Sequence, residues 1–100
     1  MKPRVDIDIA RNIKTIEWLK TELLSSVADL FRGMREAQED VVLDRLANVT
    51  MTAYALGRRL GVEYDRMDEM VRQKARAAVE RAQEFEEWYG DFSALGRHFE

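Results

Sequence analysis

The stretch LANVTMTAYALG, Leu46 to Gly57, constrains this chain more than any other. It runs twelve residues without a charge, in a sequence where 35% of residues are charged. Around it, Val42, Leu46, Val49, Ala53, Leu56 and Leu60 step by alternating four and three residues. That is the apolar stripe of a bundle or coiled-coil helix. A second stripe lies beside it at Leu43, Ala47, Thr50, Tyr54 and Gly57. Together they cover more than half of the helix circumference. A helix apolar over so much of its surface is buried on more than one side. In a chain of 100 residues the simplest cover is a partner subunit, so self-association as a homodimer or tetramer is expected. Asn48 is the one strongly polar side chain in the stretch, and something must satisfy its amide.

The flanking segments also read as helices. Ile9, Ile13, Ile16, Leu19, Leu23, Val27, Leu30 and Met34 recur at helical spacing. They predict a first helix from about Asp6 or Asp8 to about Phe31, with either aspartate able to cap it. Arg35 to Asp40 reads as a turn. Gly61 followed by Val62 fits a helix stop with a left-handed glycine. A third helix is predicted from about Tyr64 to Trp88. Its inward face would be Tyr64, Met67, Val71, Ala75, Ala78, Ala82 and Phe85, with Lys74 inside it. Gly90 ends that helix, and Asp91 can cap a short last one running to about His98. Trp88, Tyr89, Phe92 and Phe99 would staple the short helix to the bundle or to a partner. The expectation is an all-α single domain spanning residues 1–100: three long helices and a short C-terminal helix, in an oligomeric bundle.

Composition narrows the function classes. A net charge of −3 and a pI near 5.3 argue against a surface for nucleic acid or anionic membrane. No cysteine is present, so disulfides and thiolate metal sites are excluded. The start, MKPRVDIDIARN, has no apolar signal core, and no run approaches the ~18 apolar residues of a membrane span. A cytoplasmic protein is expected. There is no glycine-rich phosphate loop, no HExxH and no nucleophile elbow.

The segments IEWLKTELL, RLANVTMTAYALGRRLGV and EWYGDFSALGRHF, in this order, resemble the short bacterial MazG-like proteins. The resemblance covers roughly Ile9 to Phe99. It implies the all-α nucleoside triphosphate pyrophosphohydrolase superfamily, whose members are helical and typically oligomeric. They usually cleave nucleoside triphosphates to monophosphate and pyrophosphate with Mg²⁺ held by carboxylates. An ExxE pair on one helix faces an ExxD pair on the next. Mg²⁺ requires such hard oxygen ligands, and the ions position an attacking water.

This chain departs from that pattern. Set against it, TELLSSVADLFRG puts Leu23 and Ser26 on the ExxE positions, and DRLANV puts Arg45 and Asn48 on the ExxD positions. Glu22, Asp29 and Asp44 remain as neighbouring carboxylates. On a helical projection Trp18, Glu22, Ser25, Ser26 and Asp29 share one flank of the first helix, and Asp44 and Asn48 share one flank of the second. If these flanks meet, Glu22, Asp29, Asp44 and Asn48 line a shallow acidic cleft, the candidate metal site for Mg²⁺. Trp18 could then stack on a base and Lys74 could meet a phosphate. On the plainer reading the three acids are solvated surface charges, Asn48 bonds to a neighbouring helix or fixes subunit register, and Lys74 snorkels. His98, the only histidine, reads as surface.

Three functions follow. One is a Mg²⁺-dependent nucleotide pyrophosphohydrolase. The second is a non-catalytic helical oligomer that binds a nucleotide or a protein. The third is DNA binding, because ALGRRLGVEYDRMDEMVRQKAR superficially resembles a helix-turn-helix. Acids at Glu63, Asp65, Asp68 and Glu69 interrupt its basic residues, which counts against it.

Overall fold

The computed structural model describes the backbone of residues 2–100 and the side chains from residue 7 onward. Five helices follow one another: α1 Lys2–Met34, α2 Glu39–Arg59, α3 Tyr64–Arg81, α4 Gln83–Tyr89 and α5 Asp91–His98. No strand occurs among the described residues, so the chain is all-α. Packing divides it into two compact units, Met1–Val62 and Glu63–Glu100.

The first unit is an α1–α2 hairpin. α1 begins at Lys2 rather than at Asp6 or Asp8. Pro3 falls in its first turn, where a missing N–H leaves no bond unmade. Asp8 is therefore interior and exposed and caps nothing; the side chain of Asp6 lies outside the described residues. α1 also continues past Phe31 to Met34, with Gly33 buried. The turn is tight, and Ala37 adopts a left-handed backbone with φ 54°. Glu39 and Asp40, expected in the turn, form the first turn of α2 and suit its dipole. α2 stops in a Schellman motif: Val62 N–H donates to the Gly57 carbonyl at 2.9 Å, Gly61 N–H donates to the Arg58 carbonyl at 3.1 Å, and Gly61 has φ 98°.

The seam between these helices is built from small and polar residues. A Cβ added at Gly33 would sit 3.1 Å from Val41 Cγ1 and 3.2 Å from Arg45 Cγ. At the other end, Asn12 Nδ2 donates to the Arg59 carbonyl at 3.2 Å, and the Arg59 guanidinium donates to Asn12 Oδ1 at 3.4 Å. Asn12, Leu19, Ser26 and Gly33 fall seven apart, so all four lie on this seam. Arg45, Thr52 and Arg59 repeat the spacing on α2. Leu19, Ser26 and Thr52 are buried accordingly.

Apart from Leu19, which is in the seam, the predicted stripes sit mostly beside it, and Ile16, Leu23, Val27, Leu30, Val42, Val49, Ala53 and Leu56 are half-buried. On α1, Ile9, Ile13 and Met34 are exposed; on α2, Leu43, Leu46 and Leu60 are exposed. Relative to its seam, each main stripe is turned by about a quarter of a circumference in the same rotational sense. In an antiparallel pair that places both stripes on one side of the hairpin. The side is a broad apolar face. Asn48 is exposed, so the expectation that a helix covers its amide fails within the chain.

The second unit packs α5 on α3. Ala75, Ala78 and Gly96 are buried, and the Gly96 position approaches the Ala75 side chain. Arg76 donates to Glu100 at 3.0 Å across the same pair. The expected continuation of α3 to Trp88 is wrong: the helix breaks at Ala82, with φ −112° and ψ 47°. α4 follows as seven residues. Tyr64 and Phe85, expected inside, are exposed, as is Lys74. Gly90 turns the chain with φ 66° into α5. Asp91 does not cap α5. The Glu86 side chain does so from the preceding helix, its Oε1 accepting from Ser93 N–H at 3.0 Å.

Candidate functional site

Trp18, Glu22, Asp29, Asp44 and Asn48 belong to the first unit, and Lys74 lies exposed on α3 of the second. On α1, Glu22 and Asp29 come three residues after the seam residues Leu19 and Ser26, and Trp18 comes one before Leu19. On α2, Asp44 comes one before the seam residue Arg45, and Asn48 comes three after it. These positions share one rotational side of their helices. The antiparallel arrangement turns both sets to the same side of the hairpin, opposite the apolar face.

Two of the three candidate carboxylates on that side, Asp29 and Asp44, are engaged by arginines. Arg45 Nη1 donates to Asp44 Oδ2 at 2.6 Å. Arg32 ion-pairs with Asp29 one turn away. Glu22 is half-buried, and Trp18 leaves most of its ring in solvent. Among the described residues no three acidic or histidine side chains approach closely enough to hold a metal ion.

The positions implied as metal ligands have other surroundings. Ser26 is 3% exposed, and its hydroxyl donates to the Leu23 carbonyl at 2.9 Å. This back-bonding satisfies a buried hydroxyl without a neighbour. Thr52 does the same toward the Asn48 carbonyl at 2.7 Å. Leu23 is half-buried. Arg45 lays its stem against Gly33 and turns its guanidinium to Asp44. A four-carboxylate centre needs anionic oxygens at Leu23, Ser26, Arg45 and Asn48, and none of these side chains supplies one. The donor set does not fit the two-ion centre implied by resemblance.

Sequence reasoning named Arg45 as a lost ligand but did not see its two contacts. The signal was the adjacent Asp44–Arg45 pair together with a glycine at the end of α1. His98 is exposed, its ring edge-on to Phe99 at 5.5 Å.

The profile of the MazG-like family matches residues 9–92. No curated protein matches the chain, and no solved structure does. No helix among the described residues is long and apolar enough to cross a membrane.

Proposed function

Since the chain belongs to the MazG-like family, a group related to the nucleoside triphosphate pyrophosphohydrolases, we propose that it keeps the family's helices but no working metal centre. It acts as a non-catalytic helical oligomer, a binding module on the α1–α2 hairpin. The observation that carries this reading is the Arg45–Asp44 ion pair. A guanidinium occupies a position where the superfamily places a metal-binding carboxylate, and it pairs with the adjacent acid, Asp44. Two divalent ions beside a triphosphate need several anionic ligands. Trp18 still offers an exposed ring on the same side for stacking a base.

Self-association follows from the opposite side of the hairpin. Ile9, Ile13, Phe31, Met34, Leu46 and Leu60 are all exposed. Leu19 is the only large apolar side chain buried among the described residues, and it keeps 6% exposure. Two helices alone cannot cover that surface. A second copy laid on this face completes a four-helix bundle.

Metal titration tests the site. The pair Arg45→Glu/Asn48→Asp, one half-buried and one exposed, restores ExxD without touching the buried Ser26. By calorimetry the wild type should show no saturable Mn²⁺ binding below millimolar levels. The double variant should bind about tenfold or more tightly, because carboxylates replace a cation and an amide. Micromolar binding by the wild type would refute the reading.

A further inference from the structure

α4 carries an aromatic face that nothing within its unit covers. Phe85, Trp88 and Tyr89, spaced i, i+3, i+4, share one side of the helix. Their exposures are 57%, 59% and 67%. The rings hold one another edge-to-face, Phe85–Trp88 at 5.7 Å and 89° and Trp88–Tyr89 at 6.1 Å and 84°. Beside them opens a hollow of about 520 Å³ lined by Ala82, Phe85, Tyr89, Asp91 and Phe92. The α4–α5 corner that carries it is pinned by the Glu86–Ser93 bond and by Gly90.

The charge around this face is mainly negative, with Arg81 and Arg97 at its two ends. Between Ala82 and Gly96 the sequence holds Glu84, Glu86, Glu87 and Asp91 and no basic residue. Glu86 turns in to cap α5 and Glu87 lies on the back of α4, while Glu84 and Asp91 are exposed beside the rings.

We propose that the aromatic face of α4 docks a basic amphipathic segment of a partner protein. The inference goes beyond the reading of the α1–α2 hairpin and concerns a separate surface, on α4. Pre-set rings lose little freedom on binding. Exposed Trp and Tyr are the side chains that carry most energy at interfaces. The hollow accepts one or two apolar side chains of an amphipathic helix. The carboxylates pair with arginine or lysine heads, and the ring faces add cation–π attraction. The same charge repels nucleic acid and anionic lipid.

Fluorescence anisotropy with the full chain tests this. The probe is a labelled 18-residue helical peptide with leucine on one face and arginine on the other. One control carries glutamate for arginine, and another carries serine for leucine. Each control should bind about tenfold or more weakly, since both halves of the contact are required. Trp88→Ala/Tyr89→Ala should weaken the probe about tenfold with an unchanged helical circular-dichroism spectrum. Glu84→Gln/Asp91→Asn should weaken it and flatten its salt dependence. The inference is overturned if the serine control binds like the probe, or if neither variant changes binding. It is also overturned if Trp88→Ala/Tyr89→Ala sediments as a smaller species than wild type, which would assign the face to a second copy. All variants lie outside the α1–α2 hairpin, so their failure leaves the reading of Arg45 and Asp44 standing.

Discussion

Two residues hold conformations or charges that their neighbours make necessary. Ala37 closes the α1–α2 turn with φ 54°, where a Cβ crowds the following carbonyl. Ala37→Gly should raise unfolding stability by about 1 kcal/mol, read by urea melts. An unchanged or lower midpoint would show that the turn has relaxed. Glu86 caps α5, and hydrogen bonding from the Ser93 side chain, then from the Ser93 and Phe92 backbone N–H groups, holds its carboxyl below the ordinary Glu value. A lowered folded pKa stabilises at pH above the unfolded value, near pH 4, and that stabilisation is lost as pH falls through the folded value. Wild type should therefore be more stable than Glu86→Gln at pH 7, with the gap closing toward pH 3. Equal stability at both pH values would remove the cap from the account. Asn48 carries the opposite lesson. Its amide is exposed, so water can satisfy it, and no buried network is needed.

Among the elements, the legible parts were those whose cause is local. The α2 stop could be read from Gly61–Val62, because a left-handed C′ residue needs glycine. The helical spacing of α1 and α2 could be read from their apolar repeat. The seam could not, because Asn12, Ser26, Gly33 and Thr52 are small or polar and leave no trace in a hydrophobic period. Periodicity instead found stripes that lie mostly beside the seam, part half-buried and part exposed. The break at Ala82 has no glycine or proline to announce it, so one long helix was expected where two occur. Of the candidate site, the missing carboxylates were plain in the residues themselves. The Arg45–Asp44 pair was not, since it depends on where the guanidinium turns. The exposed stripe separates folding from assembly. Leu46 faces solvent in the chain, so Leu46→Glu should change monomer stability by no more than about 0.5 kcal/mol. A charge buried unpaired between copies is costly, so the variant should sediment as a folded monomer while wild type sediments as a dimer or larger. A well-folded wild-type monomer at micromolar concentration would end the assembly proposal.

At the scale of the whole molecule, the chain is all-helical, and Leu23, Ser26, Arg45 and Asn48 stand where the resemblance implies metal-binding carboxylates. The apolar side of the α1–α2 hairpin is suited to a second copy. Its other side keeps Asp29 and Asp44 paired with arginines, and α4 offers an aromatic face with Glu84 and Asp91 beside it. A fold retained without its metal centre is one on which binding sites can be placed. The most direct measurement is pyrophosphate release from a panel of nucleoside triphosphates with Mg²⁺ and with Mn²⁺. The account predicts release no faster than in protein-free controls. Enzyme-like turnover of any nucleotide, abolished by Asp44→Asn or Glu22→Gln, would contradict it and show that the surviving carboxylates form a rearranged metal site.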